Sequence, residues 1–152
     1  MKTIASFQVN HDKLTPGIYV SRIDGDVTTY DLRTRIPNAG DYMDHITMHS
    51  LEHMFATYVR NAAIGPQVIY FGPMGCQTGF YLLIGNADNQ VVLDAVKQGL
   101  QLIVDHDGEM FGATRSACGN YKNLAVSSAK AEARRYLDAR NAIPEVTFRY
   151  EE

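Results

Sequence analysis

The sequence predicts an α+β fold in which helices pack on one face of an antiparallel β-sheet, in a single domain spanning residues 1–152. Three observations support this prediction. Residues 27–36 alternate between apolar and polar side chains, as a half-buried strand does. Two apolar runs, 67–71 and 80–85, are joined by a short glycine-rich link, which is typical of antiparallel neighbours. Residues 44–62 and 90–105 carry apolar side chains at helical spacing.

Three strands are predicted before the first helix, over residues 4–9, 17–23 and 27–36, with a turn at Asp24-Gly25. The alternation of the third strand assigns its side chains to two faces: Tyr30, Leu32, Thr34 and Ile36 to one, and Asp31, Arg33 and Arg35 to the other. The first face is expected to be core. The arginines are expected to be solvated, with binding of an anionic substrate group as the alternative.

The first helix is predicted from an N-cap at Asp44 to about Ala62, before the Gly65-Pro66 break. Its buried arc is expected to consist of Met48, Leu51, Phe55, Tyr58 and Ala62. The second helix, 90–105, is expected to bury Val92, Ala95, Val96, Gly99, Leu102 and Ile103. A third helix is predicted from an N-cap at Ser127 to Asn141, and residues 146–150 are predicted as a further edge strand.

Composition narrows the class of protein. The net charge is −3 and there is no basic run, so nucleic acid is not an expected partner. No apolar stretch approaches the ~18 residues that a membrane span needs, and the N-terminus lacks a secretory pattern. We therefore expect a soluble, cytoplasmic protein with no membrane association. In that compartment the two cysteines, Cys76 and Cys118, are expected to be reduced.

The motif His49-Ser-Leu-Glu52-His53 lies within the first predicted helix. At about 100° per residue, His53 lies about 40° from His49, and Glu52 about 60° on the other side. Two imidazoles and a carboxylate then share one arc, which suits two metal ligands with an acid or base beside the metal. The alternative is an ordinary pair of helical histidines that binds no metal.

The segment Gly72-Pro-Met-Gly-Cys76-Gln-Thr-Gly79 surrounds one cysteine with three glycines and a proline. Such a backbone can be shaped to present the thiol of Cys76, although a hairpin loop with an incidental cysteine remains the alternative. Cys118 is followed by Gly119 in a loop predicted over residues 106–121.

These three motifs, in this order and spacing, resemble the S-ribosylhomocysteine lyase (LuxS) family, the enzymes of autoinducer-2 synthesis. The resemblance extends from about Ser6 to the last helix. It implies a lyase that cleaves the thioether of S-ribosylhomocysteine to homocysteine and 4,5-dihydroxypentane-2,3-dione, by two carbonyl migrations and a β-elimination. It also implies a homodimer with active sites at the interface and a divalent metal, natively Fe(2+), for which Zn or Co can substitute.

The resemblance also implies a role for each matching position. Residues of three kinds are carried over: the metal ligands His49, His53 and Cys118; the catalytic acid/base residues Glu52 and Cys76; and the substrate-binding residues Ser6, His11 and Arg33. The chain departs from the family pattern at Thr34-Arg35, where the family usually has Phe-Cys. That cysteine is outside the catalytic set, so the implied activity is retained, but local packing and substrate contacts become less certain.

Two other functions are compatible with parts of the sequence. One is an H-x-x-E-H metallopeptidase, for which Glu132 in the last helix is the candidate third metal ligand. The chain is too short to add a second domain that would enclose a peptide. The other is a small metal-storing or structural domain, which leaves the glycine-flanked Cys76 unexplained.

Overall fold

Strand pairing in residues 1–151, the part of the chain that this computed structural model describes, produces one four-stranded antiparallel sheet. The sheet has the order β1-β2-β4-β3, with three α-helices beside it. The strands are β1 (Gly17–Asp24), β2 (Val27–Arg33), β3 (Val68–Pro73) and β4 (Gly79–Gly85), and the helices are α1 (His45–Arg60), α2 (Asn89–Val104) and α3 (Val126–Asn141). The predicted fold class is confirmed. The domain boundary of 1–152 stays a prediction.

The core lies between the helices and one face of the sheet. β2 and β4 pair so that Tyr30 faces Leu82 and Leu32 faces Phe80, and all four side chains are buried. The helices also approach one another closely: a Cβ at Gly99 in α2 would come within 3.0 Å of a ring in α1. Glycine at this position therefore permits the α1–α2 contact on which the core depends.

Helix α1 begins where the sequence predicts. The Asp44 side chain accepts a hydrogen bond from the backbone N–H of Thr47 at 2.7 Å, which makes Asp44 the N-cap. Leu51 and Phe55 are buried as predicted, and Met54 and Val59 join them. The arc that carries His49, Glu52 and His53 is left half-buried at the edge of this core.

The two terminal segments are not strands, contrary to prediction. Residues 5–7 form a 3₁₀ turn, in which Phe7 N–H donates to Ile4 O at 3.0 Å. Near the C-terminus, Phe148 adopts a φ of +60°, which interrupts an extended backbone, and its carbonyl accepts one bond from Val20 N–H at 2.8 Å. The N-terminal segment lies against the sheet face opposite the helices, where Ile4, Ala5 and Ser6 line a groove. The C-terminal segment follows the edge of β1, where Phe148 makes its one bond to Val20 and packs with Val146 against the core. Neither segment extends the ladder.

The prediction that Arg33 and Arg35 are solvated is wrong. Their side chains are only 3% and 12% exposed, because each is paired with a carboxylate and covered by other segments. The alternation of β2 also ends early: the backbone N–H groups of Thr34 and Arg35 both donate to Thr78 O, and Ile36 is 53% exposed. The strand therefore stops at Arg33, where its backbone turns towards the loop between β3 and β4.

Two helix details also differ from prediction. Ala125, not Ser127, is the N-cap of α3, and its N–H donates at 2.8 Å to the buried hydroxyl of Ser50 in α1. No side chain caps α3, and its N-cap residue is instead tied to a neighbouring helix. In α2, Leu93 and Leu100 are buried, whereas Leu102 is 38% exposed. No helix in residues 1–151 is both long and apolar enough to cross a bilayer.

Candidate active site

Three metal-ligating side chains converge at the exposed edge of α1. The ligand atoms of His49, His53 and Cys118 all lie within 4.8 Å of one another. The two histidines are one helical turn apart, and Cys118 comes from the loop between α2 and α3, where its N–H donates to Thr114 O at 3.0 Å. The structure thus brings together the three residues that the sequence suggested as ligands.

Backbone carbonyls orient both imidazoles. Nδ1–H of His49 donates to Asn123 O at 3.0 Å, and Nδ1–H of His53 donates to Phe111 O at 2.8 Å. Because a carbonyl can only accept, Nδ1 carries the proton in each ring and Nε2 is the free ligand atom. Histidines that bind metals are commonly oriented in this way.

The separation between His49 and Cys118 fits a shared divalent metal. Nε2 of His49 lies 3.4 Å from Sγ of Cys118. Two ligands of a tetrahedral metal, at about 2.0 Å for nitrogen and 2.3 Å for sulfur, lie about 3.5 Å apart. A set of three protein ligands also leaves a coordination position for water or substrate, as catalytic sites require.

Glu52 lies beside this cluster. It lines a cavity of about 500 Å³ together with His53, Arg60 and Tyr70. Arg60 belongs to no motif in the sequence, and its guanidinium donates to the carbonyls of Val68 and Ile69. This cavity, which we call the metal cavity, therefore combines a carboxylate, an imidazole of the candidate metal cluster and a cation.

Cys76 lies at the tip of the turn between β3 and β4, where it is exposed. Met74 N–H donates to Gly79 O at 2.9 Å, and Gln77 takes a φ of +65° to complete the turn. A Cβ at Gly79 would come within 2.8 Å of the backbone of β2, so glycine is needed for the close approach of the two strands. The glycine-rich segment does shape the backbone around the thiol.

Arg33 connects this turn to the sheet. Its guanidinium donates to both oxygens of Asp31, at 3.1 and 2.6 Å, to Thr78 Oγ1 at 2.8 Å, and to Cys76 Sγ at 3.7 Å. Burial disfavours the charged guanidinium, but the adjacent Asp31 carboxylate outweighs burial and raises the pKa of Arg33. Arg33 therefore stays a fixed cation next to the thiol.

The remaining predicted substrate residues line the same space. Ser6 and His11 border a cavity of about 330 Å³ with Arg33, Cys76 and Tyr81, which we call the thiol cavity. Nδ1–H of His11 donates to Val9 O at 2.9 Å, so its Nε2 is available to a ligand. Burial, and then the charge of a nearby carboxylate, raise the pKa of Tyr81, which keeps its phenol neutral.

The metal cavity and the thiol cavity have no lining residue in common. A groove of about 480 Å³ on the open sheet face borders both: Tyr70 also lines the metal cavity, and Ser6 and Tyr81 also line the thiol cavity. Within one chain, the predicted catalytic residues Glu52 and Cys76 therefore belong to different cavities.

Several residues of these cavities carry no recognisable signal in the sequence. Asp31 was assigned to the same face as Arg33 but was not predicted to bind it, and Thr78 is an ordinary loop residue. Tyr150 lines the thiol cavity although it is 119 residues away from its partner Asp31. Only the folded chain brings these residues together.

The chain is similar to known proteins over nearly its whole length. A family model described as S-Ribosylhomocysteinase (LuxS) matches residues 4–147. Proteins named S-ribosylhomocysteine lyase from Finegoldia magna, Borreliella afzelii and Clostridium acetobutylicum are 43%, 40% and 39% identical to this chain. The alignments cover 99–100% of this chain and the same share of each relative.

Proposed function

Since the chain belongs to the S-ribosylhomocysteinase (LuxS) family, we propose that it cleaves the thioether of S-ribosylhomocysteine to homocysteine and 4,5-dihydroxypentane-2,3-dione. The observation that carries the proposal is the combination of a His-His-Cys cluster beside Glu52 with a separate, arginine-flanked Cys76. An open metal site and two groups that can exchange protons are what this reaction requires.

The chemistry explains why two proton-transferring groups are needed. The sulfur becomes a leaving group only when a ketone stands at C3 of the sugar, so the carbonyl must migrate from C1 to C2 and then to C3. Each migration removes a proton beside a carbonyl and returns one to the neighbouring carbon. The β-elimination then removes a further proton as the C–S bond breaks and homocysteine leaves as its thiolate.

We assign these proton transfers to Glu52 and Cys76, each of which faces a cavity. Arg33, Ser6 and His11 are proposed to bind the substrate in the thiol cavity. Arg60 supplies a cation in the metal cavity, where it can bind an anionic group of the substrate.

We propose that His49, His53 and Cys118 hold Fe(2+), for which Zn or Co can substitute. When bound, such a metal supplies Lewis-acid stabilisation of negative charge on the sugar oxygens. The imidazole and thiolate donors suit these metals better than Mg or Ca, which prefer oxygen ligands. A His53→Ala variant should lose its metal, and stoichiometric metal in that variant would refute the ligand assignment.

We further propose that the protein is a homodimer in which the metal cavity of one subunit meets the thiol cavity of the other. Both cavities border the groove on the open sheet face. Exposed apolar side chains surround it: Ile4 is 56% exposed, Phe7 75% and Tyr70 52%. A second copy placed here would cover these side chains and bring Glu52 of one subunit towards Cys76 of the other.

Thiol release tests the activity. Iron-loaded protein is incubated anaerobically with S-ribosylhomocysteine, and the freed thiol is followed with a chromogenic disulfide. Anaerobic conditions protect the thiols from oxidation. We expect release that disappears in Cys76→Ala and in Glu52→Gln although both variants retain metal. Absence of release from fully loaded wild-type protein would refute the lyase.

Mixing two inactive variants tests the shared active site. Glu52→Gln and Cys76→Ala chains are unfolded together, refolded as a mixture and loaded with iron. If each site draws on both subunits, a mixed dimer has one site with both changes and one intact site. Random pairing then restores about a quarter of the wild-type turnover. If each site lies within one chain, every site carries one lesion and no turnover returns, which would refute the arrangement.

A further inference from the structure

Tyr150, in the C-terminal segment, lines the thiol cavity. It borders that cavity together with Ser6, His11 and Cys76. The family match ends at residue 147, so Tyr150 lies outside the region that the family model describes. Neither the motifs nor the comparisons assign this residue a role.

The hydroxyl of Tyr150 is bonded to a buried charge. It donates to Asp31 Oδ2 at 2.7 Å, and the same oxygen accepts from Arg33 at 2.6 Å. The Asp31 and Arg33 side chains are 2% and 3% exposed. A buried ion pair is held in one geometry only when its remaining hydrogen-bonding capacity is satisfied, and the tyrosine supplies that bond.

Two contacts hold the tyrosine in place. Its ring stacks on Tyr19 of β1, with centroids 5.1 Å apart and planes 16° from parallel. Two residues earlier, the carbonyl of Phe148 accepts a bond from Val20, at the point where the β1–β2 register shifts. The segment is thus fastened to the edge strand beside the cavity.

From these contacts we infer that Tyr150 is a positioning residue, which holds Asp31 and thereby fixes the Arg33 guanidinium beside Cys76. The inference rests on the proposed function, because its consequence for catalysis is correct placement of a substrate-binding arginine. Loss of the hydroxyl leaves the Asp31–Arg33 pair without one of its fixed bonds, so Arg33 can move away from the thiol.

The kinetic test compares Tyr150→Phe with Tyr42→Phe, the same chemical change at a 44% exposed position. We expect KM for S-ribosylhomocysteine to rise about tenfold in Tyr150→Phe, as loss of one hydrogen bond to a charged group predicts, with kcat nearly unchanged. Tyr42→Phe should match the wild type. A purely structural role would change the melting temperature and leave KM unaltered.

A second readout does not depend on lyase activity. Alkylation of Cys76 by iodoacetate, an anion, and by iodoacetamide, which is neutral, is measured by mass spectrometry. A cation near the thiol raises the ratio of the iodoacetate rate to the iodoacetamide rate. We expect this ratio to fall about threefold in Tyr150→Phe, towards the value of Arg33→Met. If the wild type releases no thiol from substrate, the proposed function fails, while the ratio still decides the positioning. A wild-type ratio in folded Tyr150→Phe would overturn the inference.

Discussion

Replacement of Glu132 by glutamine should destabilise the protein strongly while leaving its metal in place. Glu132 lies in α3 with its side chain 2% exposed, and its carboxylate accepts two bonds from Arg35, at 2.9 and 2.8 Å. The hydrogen bonding of Arg35 to the Glu132 carboxylate is the largest cause of the raised pKa of Arg35. The amide of glutamine keeps the size of the side chain but leaves a mostly buried guanidinium without its main counter-charge.

Removal of one partner from a buried ion pair typically costs about 3–5 kcal/mol. Arg35 is 12% exposed and keeps a second partner, Asp41, at 2.8 Å. Asp41 is exposed, so that contact offsets only about 0–1 kcal/mol. We therefore expect Glu132→Gln to lower the free energy of unfolding by about 3 kcal/mol, which corresponds to a fall in melting temperature of about 10 °C.

Urea unfolding at equal protein concentrations measures the change, since the stability of the proposed dimer would depend on concentration. Asp138→Asn is the matched control: it removes an exposed carboxylate of the same helix, whose nearest contact to Arg134 is 4.0 Å, and should change stability by less than about 0.5 kcal/mol. The double replacement of Arg35 and Glu132 by methionine should recover most of the loss. A loss below about 1 kcal/mol in Glu132→Gln would refute the argument from burial.

The same variant separates the lyase from the metallopeptidase. In the peptidase interpretation Glu132 is the third metal ligand, whereas in the structure its carboxylate is bonded to Arg35 and Cys118 completes the ligand cluster. Glu132→Gln should therefore bind as much metal per folded chain as the wild type. Loss of metal from folded Glu132→Gln would favour the peptidase instead.

Three further predictions concern the helix and the metal cluster. Asp44→Ala should cost about 1 kcal/mol of stability at pH 7, as loss of an N-cap does. The hydrogen bond from Thr47 lowers the pKa of Asp44. The stabilisation by the Asp44 carboxylate is therefore present above the ordinary carboxyl pKa and disappears as the pH falls through the lowered pKa. If urea titrations showed that Asp44→Ala loses as much stability at low pH as at pH 7, this reasoning would be contradicted. Tyr58→Phe removes a 2.7 Å hydrogen bond to His106. His106 packs on Phe111, and the carbonyl of Phe111 orients His53. The metal affinity of Tyr58→Phe, measured by chelator competition, should fall about three- to tenfold. This is less than the loss expected when a residue bonded directly to a metal ligand is replaced. An unchanged affinity would show that this aromatic cluster does not support the site. Removal of the metal by a chelator should abolish thiol release and lower the melting temperature, and added Fe(2+) should restore both; activity that persists without metal would exclude the proposed role.

The metal-ligand helix could be predicted because its signals are local. The N-cap at Asp44, the apolar spacing, and two histidines four residues apart are all properties of one continuous segment, and α1 has them as predicted. The two hairpins, β1 with β2 and β3 with β4, were likewise predictable, since a turn signal and a short glycine-rich link depend on neighbouring residues. The pairing of β2 with β4 joins residues far apart in the sequence and was not predicted. Cys118 is 69 residues away from His49, and only the family resemblance connected the two.

The environment of Arg33 and Arg35 could not be predicted, since alternation in β2 shows only that their face is distinct from the core. Whether that face meets water depends on segments far along the chain. Arg33 is enclosed with the help of Tyr150, and Arg35 is bonded to Glu132, 97 residues away. Residues 5–7 do not form a strand for a related reason. A local preference for β-structure does not supply a neighbouring strand, and the segment forms a 3₁₀ turn with its own backbone hydrogen bonds instead.

The carbonyl of Thr78 has a consequence for how this sequence can diverge. It accepts the backbone N–H groups of Thr34 and Arg35, at 2.9 and 3.0 Å, and so ties the end of β2 to the turn that carries Cys76. Every residue except proline offers that N–H. The side chains at 34 and 35 can therefore change without loss of these two bonds. The position of the thiol depends here on the main chain, which leaves the side chain of Arg35 free to pair with Glu132 instead.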